Sequence, residues 1–370
     1  MKIAVLGTRG IPANYGGFET FAEELSARLA ARGHDVVVYC RSHHDAGAAA
    51  SYRGVRRVVL PTVRHKYLDT VVHTLLSAGH AAFRRYDVAL FCNAANALFL
   101  PLPRVGGARV AINVDGLEWK RRKWGWAGRA FYRISERLAC AFSHRVVTDA
   151  RVIQEHYSRA YGAASEFIPY GAPAEKTATS GALDRFGVEP GGYFLYVGRL
   201  EPENNADRVI AAFEKLETDL RLVIVGDAPY AHAFVRRLRQ TTDARVVFAG
   251  YVHGVAYREM VSHAYACIHA TEVGGTHPAL LEAMGMGNGV VVSDVPENRE
   301  VAADTALFFR FQGSPDLLET LRLALRDPEG LRCLAARARD RVHRLYNWEA
   351  VTDAYEDLFR RLMAGGAAGS

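Results

Sequence analysis

The chain has 370 residues, of which 49% are hydrophobic and 23% charged, and its formal net charge is +6. This length exceeds one ordinary α/β domain and predicts two, of about 100–200 residues each. No apolar run approaches the ~20 residues that cross a bilayer, and the opening MKIAVLG lacks the longer apolar core of an export signal, so we expect a cytoplasmic protein. The positive charge favours an anionic partner without distinguishing nucleic acid, acidic lipid and nucleotide phosphate.

The sequence has no pattern that indicates a metal site or disulfide bonds. Five cysteines are scattered along the chain, four of them in apolar stretches, which predicts reduced core thiols. There is no Asp-x-Asp, no H-E-x-x-H and no cysteine cluster, so we expect no metal ion at the site.

Short β-branched runs alternate with amphipathic helical stretches, which is the pattern of parallel sheets wound by helices. The fold class is therefore α/β. In the first half we predict strands at Lys2–Gly7, Val36–Cys40, Val55–Leu60, Val88–Asn93, Val110–Asp115, Arg145–Thr148 and Phe167–Pro169. In the second half we predict them at Tyr193–Gly198, Arg221–Gly226, Val246–Gly250, Ala266–Ala270, Gly289–Asp294 and Ala306–Phe309.

The region Tyr170–Gly192 is rich in glycine and proline and has few large apolar residues, which is typical of a linker. We place the domain boundary there. The tail YNWEAVTDAYEDLFRRLM carries apolar residues at helical spacing, which predicts a helix with a face to bury.

The first predicted strand leads into the glycine-rich loop GTRGIPANYGG and then a helix. Backbone N–H groups and a helix N-terminus at such a loop favour phosphate binding, although the glycines are also explained by tight turns. The spacing does not fit G-x-G-x-x-G, and Arg41 ends the second strand where an acidic residue would hold a ribose. An NADP-dependent dehydrogenase could use such an arginine and remains an alternative.

Arg199 stands at the carboxyl end of the strand Tyr193–Gly198, where parallel sheets bind ligands. A guanidinium at this place can bind a diphosphate in bidentate fashion. The alternative is a surface arginine paired with Glu201 or Glu203.

After the strand Ala266–Ala270, the segment TEVGGTHPALLEAMGMGNGVVVSD is the most informative in the chain. Gly274, Gly275 and Thr276 precede a helix that starts near Pro278, which predicts a second anion or hydroxyl site. Glu282 follows in an otherwise apolar run and could accept two hydrogen bonds from a ribose. An ordinary solvated helix glutamate is the other interpretation.

The segment EWKRRKWGWAGRAFYRISERLACAFSHR interleaves basic residues with tryptophans, which suits the headgroup layer of an anionic membrane. Nucleic-acid binding could use the same chemistry, and a solvated helix face is a further alternative. The residues predicted to contact the membrane or acceptor are Trp119, Lys120, Arg121, Arg122, Lys123, Trp124 and Trp126.

The motifs GGFETFAEEL, GRLEPENN and GGTHPALLEAMGMGNGVVVSD resemble those of retaining glycosyltransferases of family 4, which have the GT-B fold. The stretches GTRGIPANYGGFETF and NVDGLEWKRRKW resemble the rhamnosyltransferase-type branch that builds bacterial surface polysaccharides. The resemblance implies two Rossmann-like domains facing a central cleft. Residues 1–170 would form the acceptor-side domain, with helix 346–364 packing back on it, and residues 171–345 the nucleotide-sugar domain.

The resemblance also implies roles at the donor site. Gly16 and Gly17 would let the first helix approach the donor phosphates, and Arg199 would hold the diphosphate and assist catalysis. The family usually has a lysine where Asn204 stands and a glutamate where Gly274 stands, and both positions are assigned to the donor site. Glu272 is a candidate replacement for the glutamate. The backbone around Gly275–Ala279, with Thr276, His277 and Pro278, would contact the sugar, and Glu282 would bind the ribose.

Asp115 and Glu118 lie at the end of a first-domain strand in NVDGLEW, where the family often has a histidine or aspartate near the reacting carbon. The resemblance makes them candidates for acceptor positioning or transition-state support. A strand-end aspartate that caps a turn is the alternative for Asp115.

The implied activity is transfer of a sugar from a nucleotide diphosphate to a lipid-linked or saccharide acceptor, with dTDP-rhamnose as the donor suggested by the branch. We expect no cofactor and no nucleic-acid partner, and peripheral contact with the inner face of the cell membrane. An NAD(P)-dependent oxidoreductase or a sugar-nucleotide epimerase remains an alternative, since fold analogy alone does not separate these enzymes.

Overall fold

The computed structural model describes residues 1–13, 16–44, 49–65, 68–228 and 231–367. The chain divides into two compact units, each with its own parallel sheet and hydrophobic core. The first unit contains Met1–Lys120, Trp124–Tyr170 and Trp348–Ser370. The second contains Arg121–Lys123 and Gly171–Asn347. The fold class predicted from the sequence, α/β with two parallel-sheet domains, is confirmed.

The sheet of the first unit has the strand order β3-β4-β2-β1-β5-β6-β7-β8. All of its pairs are parallel except the short β3–β4 pair. Its strands are β1 (Lys2–Leu6), β2 (Asp35–Arg41), β3 (Ser51–Tyr52), β4 (Val55–Leu60), β5 (Val88–Cys92), β6 (Arg109–Asn113), β7 (Arg145–Thr148) and β8 (Ser165–Phe167). The chain reverses its direction of winding between β1 and β5, which makes that point the topological switch of this sheet.

Two features of this sheet differ from the predictions. The last strand lies at Ser165–Phe167 rather than at Phe167–Pro169, because Pro169 cannot donate to a strand neighbour. The antiparallel strand β3 was not predicted, since two residues are too few to show a hydrophobic period.

Helices cover the first sheet. They are α1 (Gly17–Ala31), α2 (Leu68–Ala82), α3 (Pro101–Val105), α4 (Trp126–Phe142) and α5 (Arg151–Tyr161), with short 3₁₀ segments at Ser42–His44, Ala94–Phe99 and Glu118–Lys120. Among the residues that the structure describes, no helix in either unit is both long enough and apolar enough to span a bilayer.

The second sheet has the order β11-β10-β9-β12-β13-β14, with every pair parallel. Its strands are β9 (Tyr193–Val197), β10 (Arg221–Val225), β11 (Val246–Gly250), β12 (Ala266–His269), β13 (Gly289–Ser293) and β14 (Leu307–Phe309). Its helices are α6 (Ala206–Phe213), α7 (His232–Leu238), α8 (Gly254–Ser262), α9 (Pro278–Gly285), α10 (Pro296–Ala302), α11 (Leu317–Arg326) and α12 (Pro328–Leu345), with 3₁₀ segments at Gly181–Phe186 and Pro202–Asn204. The switch point lies between β9 and β12.

The final helix, α13 (Trp348–Ala367), packs on the first unit. The ring of Tyr355 lies 5.3 Å from that of Phe21 on α1, and its hydroxyl accepts a hydrogen bond from Asn113 Nδ2 at 2.9 Å. Around this apolar contact, Arg28 of α1 and Arg32, which caps the end of that helix, form ion pairs with acidic residues of α13, namely Glu349, Asp353 and Glu356. The apolar period read from the tail is therefore the buried face of this helix.

We expect the docking of α13 to weaken in acid. Hydrogen bonds from Arg32 and Arg28 hold the pKa of Glu349 below its ordinary value of 4.5, although burial opposes the shift. The stability that this lowered pKa contributes is complete above pH 4.5 and is lost as pH falls through the lower value in the folded protein. Because Glu349 is 67% exposed, its contribution should stay below about 1 kcal/mol.

The measurement is urea unfolding of the wild type and of Glu349→Gln between pH 7 and pH 3. The variant should be less stable at pH 7, and the difference should shrink as the pH falls from 4.5 toward 3. Glu329→Gln, at an exposed position on α12, controls for loss of a surface carboxylate. A difference between wild type and Glu349→Gln that persists unchanged at pH 3 would contradict the ion-pair explanation.

Candidate functional site

Two loops meet at the switch point of the second sheet. Residues 198–205 follow β9 and residues 270–277 follow β12, and these strands are hydrogen-bonded neighbours. Open parallel sheets bind ligands outside the carboxyl ends of their strands at such a point. The topology therefore brings together Arg199 and the glycine loop before α9, which the sequence singled out separately.

Direct hydrogen bonds tie these two loops together. The backbone N–H of Glu272 donates to the carbonyl of Glu203 at 3.1 Å, and Asn205 Nδ2 donates to the carbonyl of Ala270 at 2.9 Å. Asn205 is buried and adopts a left-handed conformation with φ of 54°. The loops thus form one ordered edge on which a ligand can be held with little loss of entropy.

Arg199 lies on this edge with a side chain that is 33% exposed. Its Nη1 is 3.8 Å from Glu201 Oε2, which is too long for a hydrogen bond. The Glu201 carboxylate therefore interacts with the guanidinium through charge at this distance.

Asn204 is bonded within its own loop. Its Nδ2 donates to the backbone carbonyl of Arg199 at 2.7 Å, and its backbone carbonyl accepts from Tyr196 Oη at 2.9 Å. The side chain is buried. Asn204 therefore positions the backbone of Arg199, and donor contact by Asn204 itself stays a prediction.

The glycine loop leads into α9, which begins at Pro278. Gly274, Gly275 and Thr276 are buried, and a Cβ at position 274 would lie 2.1 Å from His277 Nε2. A glutamate at position 274 would therefore clash with the His277 ring where it lies now. The ring occupies the space that the Cβ of the family's glutamate would need.

His277 is held as a neutral imidazole. Its Nδ1 is 3.0 Å from Asn298 Oδ1, and Asn298 Nδ2 donates to Ser293 Oγ at 2.9 Å, so the geometry assigns the His277 proton to Nδ1. Burial, together with the nearby charges of Arg121 and Arg199, lowers the pKa of His277 to about 4. This network fixes the loop that precedes α9.

Glu272, the candidate replacement for the missing glutamate, is engaged elsewhere. Its Oε2 forms an ion pair with Arg122 Nη2 at 2.7 Å. This pair belongs to a larger pattern, since Arg121 pairs with Glu203 at 3.7 Å and Lys123 with Glu201 at 3.5 Å. Whether Glu272 contacts a sugar stays a prediction.

Glu282 lies one turn into α9 and is half-buried. Tyr257 of α8, which the sequence analysis did not name, donates its hydroxyl hydrogen bond to Glu282 Oε2. Burial and the adjacent carboxylate raise the pKa of Tyr257 well above its ordinary value, so the phenol remains a donor. A lone tyrosine 25 positions away offers no sequence signal for this pairing.

We expect Tyr257→Phe to weaken nucleotide diphosphate binding by about tenfold, because the Glu282 carboxylate loses the bond that orients it. The measurement is isothermal titration with UDP, GDP and dTDP. Tyr251→Phe, at an exposed tyrosine outside this pair, is the matched control. Equal affinities for Tyr257→Phe and the wild type would show that the hydroxyl does not orient the ligand-binding carboxylate.

The glycine-rich loop of the first unit follows β1 at the switch point of that sheet. Gly16 is the N-cap residue of α1, and Gly17 is the first helical residue. The N–H of Arg9 donates to Glu19 Oε1, and the N–H of Ala13 donates to Glu23 Oε2. Two backbone donors of the loop therefore bind carboxylates of α1, and phosphate contacts by Gly16 and Gly17 stay a prediction.

Arg41 does not fit a dinucleotide site. It is 4% exposed, and its Nη1 forms an ion pair with Asp69 Oδ2 at 2.6 Å. A buried guanidinium that is already paired with the Asp69 carboxylate is not available for a ribose phosphate. His43, His44 and Asp69 could together offer ligand atoms to a metal, but the Arg41 charge opposes a cation there.

Asp115 follows β6 in a left-handed conformation, with φ of 54°, and its N–H donates to Asn113 Oδ1 at 3.1 Å. Non-glycine residues held in this region are frequent at functional sites. Glu118 begins the 3₁₀ segment Glu118–Lys120 and is half-buried. The roles predicted for Asp115 and Glu118 stay predictions.

The basic, tryptophan-rich segment is more buried than predicted. Trp119 packs against the core of the first unit, with the Arg133 guanidinium 4.5 Å from its ring, and Trp124 packs on Tyr132 at 5.2 Å. Arg121 is only 6% exposed, because it pairs with the buried Glu203. Arg121 is thus buried and paired within the second unit, and membrane or acceptor contact by Trp119, Arg121 and Trp124 stays a prediction.

Other residues of the segment are exposed. Lys120 and Arg122 face solvent, and Trp126, the first residue of α4, is 85% exposed. Along α4, the exposed Phe131 and Ile134 alternate with exposed arginines, namely Arg129, Arg133 and Arg137. The amphipathic surface of this region lies on α4 rather than on residues 119–124.

Comparison with known proteins finds matches in both halves of the chain. Residues 1–173 match a domain of unknown function, DUF1972, and residues 191–327 match the family of glycosyl transferases group 1. The chain is 25% identical to the alpha-maltose-1-phosphate synthase of Mycolicibacterium smegmatis over 98% of its length and 100% of that protein.

Two solved structures share the fold over nearly the whole chain. Sucrose-phosphate synthase from Thermosynechococcus elongatus has a TM-score of 0.81 and 20% identity, with 98% of this chain and 99% of that one covered. Anabaena HepE in complex with UDP and glucose has a TM-score of 0.79 and 17% identity, with coverages of 98% and 100%.

The chain has the GT-B fold of glycosyltransferases. Its segment 191–327, which carries Arg199, the glycine loop and Glu282, matches the group 1 glycosyl transferases. These matches support glycosyltransferase activity with a nucleotide-sugar donor, and they give no support to the oxidoreductase alternative.

Proposed function

We propose that this protein is a retaining, metal-independent glycosyltransferase that moves a sugar from a nucleotide diphosphate to a lipid-linked or saccharide acceptor. The observation that carries the proposal is the shared edge of β9 and β12, where Arg199 stands beside the glycine loop at the start of α9. Glu282 on the same helix supplies a carboxylate for a ribose. L-Rhamnose from dTDP-rhamnose is the proposed donor, on the resemblance to the rhamnosyltransferase-type branch.

The chemistry follows from charge. Sugar transfer develops positive charge at the anomeric carbon and negative charge on the departing diphosphate. Arg199 and the electropositive start of α9 are fixed before the reaction, so they stabilise the leaving group without reorganising. Asp115 in the first unit is proposed to position the acceptor or to support the transition state, with Glu118 beside it.

A thermal-shift screen tests the donor class. UDP, GDP or dTDP should stabilise the protein, and NAD(P) should not. A product assay on the matching nucleotide sugars then separates transfer or hydrolysis, which releases the nucleotide diphosphate, from epimerisation, which retains it. Stabilisation by NAD(P) alone, or an isomerised nucleotide sugar as the product, would refute the proposal.

The finer points have their own tests. Activity should survive a chelator without added magnesium or manganese, and the product should keep the anomeric configuration of the donor. Loss of activity in chelator that either metal restores would refute metal independence. An inverted product would refute retention.

Membrane contact is proposed for the exposed face of α4, at the inner surface of the cell membrane. Trp126, Phe131 and Ile134 supply apolar contacts, and each of the neighbouring arginines should add about 1 kcal/mol at an anionic surface. Vesicles with anionic lipid should bind the protein more tightly than neutral ones, and Trp126→Ala should weaken that binding. Equal partitioning to both vesicle types would refute this contact.

A further inference from the structure

The loop edge that carries Arg199 is acidic when taken by itself. Between residues 198–205 and 270–277 there are three glutamates, Glu201, Glu203 and Glu272, and one arginine. His277 adds no positive charge there, because its pKa is about 4. An edge with more carboxylates than cations would repel a diphosphate.

A three-residue segment distant in sequence reverses this balance. Arg121–Lys123 belongs to the second unit, and each of its residues pairs with one of the three glutamates. With this segment in place, the edge holds four cations against three carboxylates. The segment thus makes the edge electropositive.

The segment also lies next to Arg199. Lys123 Nζ is 3.5 Å and Arg199 Nη1 is 3.8 Å from the same oxygen, Glu201 Oε2. Arg121 and Arg199 both lie close enough to His277 to oppose its protonation, after burial as the main cause. The shared Glu201 carboxylate thus places the segment Arg121–Lys123 beside Arg199.

Arg121 is the member of the segment best suited to a ligand. Its side chain is 8% exposed, and Nη1 lies 3.7 Å from the fully buried Glu203, so the charge is held in a low-dielectric setting where charge interactions are strong. A planar guanidinium also matches the oxygens of a phosphate better than an ammonium does. The neighbouring Asn204 supplies no cation, because its amide is neutral, and its Nδ2 is bonded to the carbonyl of Arg199.

We propose that Arg121 binds the donor diphosphate together with Arg199, and that Arg122 and Lys123 offset the remaining carboxylates of the edge. The inference rests on the proposed function and deepens it. It assigns the second phosphate-binding cation to a segment 78 positions before Arg199, in place of the basic residue absent at position 204.

The test compares nucleotide diphosphates with the corresponding monophosphates, using UDP, GDP and dTDP. In Arg121→Gln, affinity for the diphosphate should fall by roughly tenfold or more, and affinity for the monophosphate by much less. Arg237→Gln, an exposed arginine on α7, controls for the change of net charge. Thermal unfolding of each variant checks the fold.

A second variant separates ligand binding from simple neutralisation of Glu203. In Arg121→Gln/Glu203→Gln no buried carboxylate is left without its cation, so the fold should be kept even if the single variant is unstable. The proposal predicts that the double variant still binds the diphosphate weakly. Wild-type affinity in the double variant would overturn it, because Arg121 would then serve only Glu203.

Two further results would also contradict the role proposed for Arg121. Arg121→Gln could bind diphosphates like the wild type but no longer bind anionic vesicles. In that case Arg121 binds a membrane, and the inference fails while the proposed function stands. If the wild type binds no nucleotide diphosphate, the proposed function fails, and this inference with it.

Discussion

Replacing Arg199 with alanine is expected to lower the rate of sugar transfer by about 10²- to 10³-fold. The guanidinium is the one arginine on the loop after β9, where the proposed function expects the departing diphosphate to gain charge. Glu201, which lies 3.8 Å from Arg199, keeps Lys123 at 3.5 Å, so this carboxylate still has a cation after the substitution. The fold should therefore survive the change.

The measurement is kcat and KM for the nucleotide sugar, with the diphosphate dissociation constant beside them. Arg199→Lys keeps the charge but loses the bidentate fork, and we expect an intermediate rate. Arg237→Ala serves as the control at an exposed arginine. An unchanged kcat/KM in Arg199→Ala would rule out a role for this residue at the leaving group.

Glu282→Ala is expected to weaken nucleotide binding by about 10- to 100-fold, which corresponds to the 1.5–3 kcal/mol of hydrogen bonds to a charged group. The residue lies half-buried on α9, oriented by Tyr257. A carboxylate held in this way can accept two hydroxyl hydrogen bonds from a ribose. The loss should reside in the ribose contact and not in the diphosphate contact.

A comparison of UDP with 3′-deoxy-UDP tests that assignment, because the 3′-hydroxyl is present both in UDP and in the proposed dTDP donor. The wild type should prefer UDP, and Glu282→Ala should bind both nucleotides with similar affinity. Glu329→Ala, at an exposed position on α12, is the control. If the variant keeps the full preference for UDP, another residue binds the ribose hydroxyl.

The two binding predictions are separable. Arg199→Ala should lower affinity for diphosphates far more than for monophosphates, and Glu282→Ala should affect both equally. Additive losses in the double variant would fit two independent contacts on one ligand. Together with Arg121→Gln, these variants divide the donor site into its phosphate-binding and ribose-binding parts.

The sequence alone determined the class of the fold and the ends of most strands. Hydrophobic period is a local property, so β1, β9 and β12 could be placed within a residue or two, and their following loops identified as the region to search. Arg199, the glycine loop and Glu282 were found because strand ends in parallel sheets carry the ligand sites.

The partners of charged side chains were decided only by the tertiary structure. Arg122 and Glu272 are 150 positions apart, and no local pattern reports such a pairing. The basic segment was therefore interpreted as a membrane surface, whereas Arg121 is buried against Glu203 and Arg122 and Lys123 pair with glutamates of the second unit. The same limit applies to Arg41, which the fold pairs with Asp69.

Side-chain direction was likewise beyond the sequence. Asn204 occupies a position that suggests phosphate binding, but its amide turns back to the carbonyl of Arg199, and Tyr257 reaches Glu282 from a different helix. Strand and helix periods follow from neighbours along the chain, so the sequence fixes them. Ion pairs and hydrogen bonds between distant residues depend on which surfaces the folded chain brings together, and only the tertiary structure supplies that.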